Sequence, residues 1–352
     1  MRLAVDCRLI GESGIGTFIE NVLEYLVLHI EHQFLLIGNK SKLWKYAERD
    51  NCKIIDCRLL SFTPKELLFF PTKEVNQCDA FYSPNFNLPL GIKIPIFSTI
   101  HDIVFFETEN FGSLFHRAAL YWYVKRALKV SQEVFTVSEF SRDRIKEYFK
   151  TDKNINVVYN GVRKGLIEYK NSHLKTNKRG GGIVYLGNIK PYKGLRTLWN
   201  AYKKLLADGD APLLTIIGGI DFRIKDDGMI AEIESNKHLI NFVSGVSDES
   251  LYEILENAEV LVSPSQYEGF GLPPLEALYL NTPVIISDIP VYKEVYGNLP
   301  VTFFRVDDVD DLYAKLKSFR PHEENVSEQL LEKYNYKNTA NKIIENISNF
   351  II

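Results

Sequence analysis

The chain is predicted to be an α/β protein built of two Rossmann-like, doubly wound parallel-sheet domains. Three observations carry that prediction. Short apolar, β-branched runs alternate with amphipathic stretches, the rhythm of βα units that stack into a parallel sheet. The rhythm passes through the chain twice, on either side of a polar segment. The length of 352 residues exceeds one ordinary domain, and 45% apolar with 25% charged residues suits a chain that buries two cores.

In the first series the expected strands are Leu3 to Asp6, Phe34 to Ile37, Lys53 to Asp56, Ala80 to Ser83, Ile96 to Ile100, Val134 to Val137 and Ile155 to Tyr159. The second runs Ile183 to Leu186, Leu213 to Ile217, Asn241 to Val243, Val260 to Ser263, Val284 to Ser287 and Val301 to Phe304. Between them Arg163 to Gly182 is polar and closes on three glycines, which reads as an interdomain linker. The expected domains are therefore 1–165 and 166–335. Ser327 to Ile352 is helical by pattern, with Leu330, Leu331, Tyr334, Ile343, Ile344 and Ile347 on repeating faces, and a helix over about 336–352 is expected to cross back to the first domain.

A formal charge of −3 gives no field that would draw in a polyanion, so no nucleic-acid partner is expected. Cys7, Cys52, Cys57 and Cys78 form no C-x-x-C pair and have no histidine at metal-ligand spacing, which fits reduced thiols in a cytoplasm. No secretion signal follows Met1-Arg2, and no apolar run approaches the ~18 residues that span a bilayer.

The most informative stretch is Ser263-Pro264-Ser265-Gln266-Tyr267-Glu268-Gly269-Phe270-Gly271-Leu272-Pro273-Pro274-Leu275-Glu276-Ala277. It follows a strand and opens a helix. Glycines on both sides of Phe270 permit strained dihedrals and close approach of a ligand, and Pro273 and Pro274 suit a first helical turn. The amides of Gly269, Phe270, Gly271 and Leu272 at a helix N-terminus form a site for a diphosphate. Glu268 and Glu276 are placed to meet sugar hydroxyls. Each glutamate alone reads better as dipole complementation; the two in register with strand, glycines and helix read as a site.

This stretch resembles the signature of glycosyltransferase family four, two glutamates separated by seven residues in a GT-B fold, and the likeness extends over nearly the whole chain. GT-B implies two Rossmann-like domains facing a cleft, the first for the acceptor and the second for a nucleotide-sugar donor. The resemblance implies that Glu268 contacts the donor sugar, that Glu276 holds the ribose hydroxyls, and that transfer retains anomeric configuration.

A second candidate, Tyr185 to Leu195, is again a strand end, loop and helix start, with Gly187, Asn188 and Lys193 as donor-binding candidates. Lys193 is suited to neutralise a diphosphate. The family usually places an arginine where this chain has Asn188. The departure leaves Lys193 as the main cation and resembles a mannosyltransferase-like subgroup, so GDP-mannose is the expected donor and a UDP-sugar the alternative.

The loop Gly11 to Thr17 lacks the dinucleotide spacing; the resemblance implies that Gly14 and Gly16 approach the donor phosphates. His101 and Asp102 end an apolar strand, where a polar pair points to a cleft, and the family has a matching histidine beside the donor sugar. His101, Asp102 and Glu268 are the catalytic candidates. Ser138 reads as a helix cap, and Asn160-Gly161 equally as a turn or a ligand contact. Asp208-Gly209-Asp210 reads as a turn and Asp307 to Asp311 as a loop and helix start, so no metal and no cofactor beyond the nucleotide-sugar substrate is expected.

The acceptor is expected to be a saccharide or a lipid-linked saccharide. Phe115 to Val130, with Trp122, Tyr123, Lys125, Arg126 and Lys129, mixes aromatic and basic residues as peripheral membrane helices do. A packed helix with solvated lysines fits equally well. The protein is accordingly expected in the cytoplasm, with contact at the inner membrane face as a further reading. The competing functions are a non-catalytic nucleotide-sugar binding protein and a GT-B epimerase; the absent G-x-G-x-x-G argues against a dinucleotide oxidoreductase.

Overall fold

The structure is a computed structural model and describes residues 1–108, 113–173, 180–209, 211–219, 226–320 and 325–351. In chain order the elements are β1 (Arg2–Asp6), α1 (Ser13–Leu26), β2 (Gln33–Gly38), β3 (Cys52–Asp56), α2 (Pro64–Phe69), α3 (Thr72–Val75), β4 (Ala80–Ser83), β5 (Ile96–Thr99), α4 (Val104–Glu107), α5 (Leu114–Val130), β6 (Glu133–Thr136), α6 (Glu139–Phe149) and β7 (Ile155–Val157). They continue as α7 (Lys164–Ser172), β8 (Ile183–Leu186), α8 (Leu195–Asp208), β9 (Leu214–Ile217), α9 (Asp227–Ser235), β10 (Ile240–Val243), α10 (Asp248–Asn257), β11 (Val260–Ser263), α11 (Leu272–Tyr279), β12 (Val284–Ser287), α12 (Pro290–Tyr296), β13 (Thr302–Phe304), α13 (Val309–Ser318), α14 (Ser327–Lys333) and α15 (Tyr336–Ile351). Each apolar run expected to be a strand forms one, within two residues at either end.

The chain divides into two compact units, the first made of Met1–Ile103, Ser113–Asn160 and Asn335–Ile352, the second of the remaining chain. The first unit carries a seven-stranded parallel sheet in the order β3-β2-β1-β4-β5-β6-β7. Its inner strands, such as β4 and β5, are buried along their whole length, as a parallel sheet between helices requires, while the edge strand β3 is partly exposed. On one face α1 packs against α15, with Phe18 edge-on to Tyr336 at 6.1 Å between ring centres. Residues 327–352 thus split into two helices: α14 stays with the second unit and α15 completes the first.

The second unit carries a six-stranded parallel sheet in the order β10-β9-β8-β11-β12-β13. Its core gathers Tyr185, Leu198, Trp199, Tyr202, Ile216 and Val262. Local signals set the helix ends. Ser138 accepts the Ser141 amide at 3.0 Å to cap α6, Ser247 caps α10 and Asp308 caps α13, while Gly209 ends α8 in the left-handed conformation at φ +79°. Asp208 pairs with Lys317 at the end of α8, in keeping with a turn; Asp210 lies outside the described residues.

The linker reading of Arg163 to Gly182 is corrected. Most of its first half is α7, an ordered helix of the second unit with Leu166 and Tyr169 buried. Tyr169 lies 5.4 Å from the Tyr252 ring of α10, and Lys170 donates to Tyr279 and Ser327 at the ends of α11 and α14. The physical reason is that a nine-residue helix with two buried apolar residues among polar ones shows too short an apolar period to be visible in the sequence. The division between units falls after Asn160, and residues 174–179 lie outside the described part.

Candidate active site

In the second sheet the chain runs outward from β8 through β9 to β10, then returns to place β11 on the other side of β8. The carboxyl ends of β8 and β11 therefore form the topological switch point where doubly wound sheets bind ligands. The two loops that leave these strands are the two motifs singled out in the sequence, and glycines let them touch. A Cβ on Gly194, at φ +69°, would stand 1.9 Å from the Pro264 carbonyl oxygen. One on Gly271, at φ +90°, would strike the Tyr292 ring at 2.3 Å. The Gln266 amide donates to the Tyr192 carbonyl at 2.8 Å, and Tyr296 donates its hydroxyl to the Gly271 carbonyl.

At this junction Lys193 and Glu268 form an ion pair. The ammonium lies 2.6 Å from Oε1 and 2.8 Å from Oε2, and the Ser265 hydroxyl donates to Oε1 at 2.8 Å. Both side chains are partly buried, at 23% and 11% exposure. Burial, followed by the Glu268 charge, pushes the Tyr185 and Tyr292 hydroxyls above the ordinary phenol range, so both remain neutral donors beside the pair.

Gly271 caps α11 in the left-handed conformation, and Pro273 and Pro274 sit in its first turn. Glu276 lies on the same helix, 4% exposed. Its Oε1 is 2.7 Å from Arg163 Nε, and Nη2 donates to Oε2 at 3.2 Å. The Nε approach has ion-pair distance but not hydrogen-bond direction. Arg163 also donates from Nη1 to Asp248 at 2.9 Å and lies over the Tyr252 ring at 5.1 Å. Burial pushes the Glu276 carboxyl up, and the Arg163 charge opposes that rise. Arg163 was not singled out in the sequence, because it stands 113 residues from its partner and no local spacing marks the pair.

The remaining candidates are placed as follows. Phe270 is buried edge-on to Tyr334, 5.6 Å between ring centres, and so holds the turn against the core; Gly269 is buried and Leu272 half-buried. Gly187 is half-buried beside the Tyr185 hydroxyl. Asn188 is exposed, and its Oδ1 accepts the Gly219 amide at 3.1 Å, which fastens the β8 loop to the end of β9. Gly218, not noticed in the sequence, is required there, since its Cβ would meet the Gly187 carbonyl oxygen at 2.0 Å.

In the first unit, Gly14 and Gly16 belong to the first turn of α1 rather than to a free loop. Gly14 has open space at its Cβ, whereas a Cβ on Gly16 would stand 2.4 Å from the Leu9 carbonyl oxygen. His101 follows β5, half-buried, with its ring edge-on to Phe18 at 4.8 Å. Its Nε2 donates to the Pro84 carbonyl at 3.0 Å, and burial lowers its pKa to about 4, so the ring is neutral near pH 7. Asp102 is half-buried beside it in the chain. Among the described residues no group of three His, Cys, Asp or Glu is arranged to hold a metal ion.

Two doubly wound parallel-sheet units, the second with an acid–base pair at its switch point, define a GT-B architecture. Solved structures share it: sucrose-phosphate synthase from Thermosynechococcus elongatus at TM-score 0.71 and 16% identity, covering 99% of both chains, and Anabaena Alr3699/HepE in complex with UDP and glucose at TM-score 0.71 and 14% identity, covering 99% of this chain and 100% of that one. A family model described as "Glycosyl transferases group 1" matches residues 168–341, and one described as "Glycosyltransferase Family 4" matches 77–164. The chain belongs to glycosyltransferase family four. Its relatives include the O-antigen chain mannosyltransferase RfbU of Salmonella typhimurium, 28% identical over 244 residues, 68% of this chain and 65% of that protein. The MMP alpha-(1->4)-mannosyltransferase of Mycolicibacterium hassiacum is 29% identical over 196 residues, 54% of this chain and 46% of that protein. The chain thus spans less than two thirds of the length of these relatives.

Proposed function

We propose that this chain is a retaining hexosyltransferase that moves mannose from a nucleoside diphosphate sugar, GDP-mannose first, to a saccharide or lipid-linked saccharide. The observation that supports it most is the Lys193–Glu268 pair at the switch point of the second sheet. A diphosphate entering there takes the ammonium, and the carboxylate released from it turns to the sugar hydroxyls. The C1–oxygen bond to the phosphate then breaks while the acceptor oxygen bonds to C1 on the same face, and the acceptor proton passes to the departing phosphate. Fixed positive charge on that leaving group is the largest contribution a protein makes to such a step. Neutral His101, with Asp102 beside it in the chain, is proposed to meet the sugar; no metal is assigned a role. The mannosyl preference rests on Asn188 and on the mannosyltransferases among the relatives.

The acceptor reading draws on an exposed face of the first unit. Leu114, Phe115 and Trp122 on α5 are 85%, 89% and 46% exposed, and Leu68 and Phe69 on α2 are 69% and 70% exposed. Arg126 of α5 donates to the carbonyls of Leu88 and Pro89, and the Leu90 amide donates to Leu67, so these elements adjoin. α5 carries Arg117, Lys125, Arg126 and Lys129 and no acidic residue, a charge that suits an anionic lipid surface. No helix among the described residues is long and apolar enough to cross a membrane.

Incubating the protein with a panel of nucleotide sugars in the absence of acceptor, and measuring release of the nucleoside diphosphate, tests the donor. Turnover of GDP-mannose above UDP- and ADP-sugars supports the reading; binding without turnover of any donor would leave a binding protein instead. Sedimentation with anionic and neutral vesicles tests the lipid face.

A further inference from the structure

The Arg163–Glu276 pair is expensive for a mere packing contact. Two charges have been taken from water into the second unit, where an apolar pair of similar volume would be at least as stable. Glu276 stands in the first turns of α11, which Gly271 opens, and Arg163 reaches it from the residue before α7. We propose that Arg163 is a positioning residue for nucleotide recognition, turning the Glu276 carboxylate so that its remaining acceptor directions receive two ribose hydroxyls. The inference rests on the reading of this unit as a nucleotide-sugar site.

The geometry supplies the argument. An ionised carboxylate has about four lone-pair directions, two on each oxygen. Nη2 takes one direction on Oε2 by a hydrogen bond, and Nε stands beside Oε1 at ion-pair distance only, which leaves acceptor directions on both oxygens for a vicinal diol. The guanidinium is itself fixed, by Asp248 from α10 on one side and the Tyr252 ring beneath. The groups that face Glu276 are Arg163 from the segment before α7, Asp248 from α10 and the neutral Tyr296 from α12. Arg163 is the positive charge among them and Asp248 acts against it. Without the guanidinium, burial and Asp248 would both favour the protonated acid, which presents one fewer acceptor to the diol.

The test is calorimetric binding of GDP and UDP, and of their 2′,3′-dideoxy forms, to the intact chain and to Arg163→Met and Arg163→Lys, from mildly acidic to alkaline pH. Arg163→Met should weaken the ribonucleotide by roughly tenfold or more at neutral pH and leave the dideoxy ligand unchanged. The loss should shrink as pH rises and the unpaired Glu276 ionises. Arg163→Lys keeps the charge and loses the fork, so it should weaken the ribonucleotide without adding a pH slope, and it carries the test if the methionine variant fails to fold. Equal losses for ribo and dideoxy ligands would make Arg163 a structural staple and overturn the proposal. Wild-type protein that binds neither GDP nor UDP would overturn the nucleotide reading itself, and this inference with it.

Discussion

Lys193 places its ammonium 2.6 Å and 2.8 Å from the two carboxylate oxygens of Glu268, joining a loop of β8 to a loop of β11 across 75 residues of sequence. The two groups proposed to meet opposite ends of a donor, phosphate and sugar, thus neutralise each other. The carboxylate is kept from an unpaired charge at a partly buried position, and the lysine is held where a phosphate would claim it.

Replacing Lys193 by methionine removes the cation proposed to meet the leaving diphosphate. The expected loss in kcat/KM is roughly 10²–10³, about 2.7–4 kcal/mol, as for other preorganised groups that stabilise a departing oxyanion. Steady-state kinetics on the best donor of the panel measures it. Retention of more than half the wild-type kcat/KM would remove Lys193 from the site.

Glu276→Ala should act on nucleotide affinity rather than on the chemical step. It deletes the acceptor proposed for the ribose and leaves the Arg163 guanidinium without its buried partner, at about 1–3 kcal/mol for such an orphaned group. A raised donor KM with kcat within a few-fold is the expected split, whereas His101→Ala should mainly lower kcat.

His101 also predicts a pH dependence of stability. Its pKa falls to about 4 in the folded state because burial disfavours the imidazolium, while the unfolded chain titrates near the ordinary ~6.5. The unfolded state therefore binds more protons, and stability is lost as pH falls through that window, by about 2 kcal/mol between pH 7 and pH 5 from this group. Urea melts of the wild type and of His101→Gln should show the variant losing less over the same range. Parallel losses would place the acid sensitivity elsewhere.

Chelation should leave turnover unchanged, because the leaving group is assigned to Lys193 and backbone amides. The measurement is the transfer rate with and without EDTA after dialysis. A loss restored by magnesium or manganese would require a metal in the donor site.

The sequence by itself determined what depends on neighbours along the chain. The strands of both sheets were legible because a strand buried on two faces must be a continuous apolar run, and Ala80–Ser83, Ile183–Leu186 and Val260–Ser263 form with the boundaries expected. The glycine turn before α11 was legible because strained backbone permits few residue types. The tertiary structure alone decided how charges are paired. Arg163 lay in a segment read as a linker, since a short polar helix leaves almost no apolar period, and only folding carries its guanidinium to Glu276. Asn188 likewise proved to be tied to the Gly219 amide. Charge pairing is a matter of distance in space, and a residue's character gives no indication of which partner the fold will bring within reach.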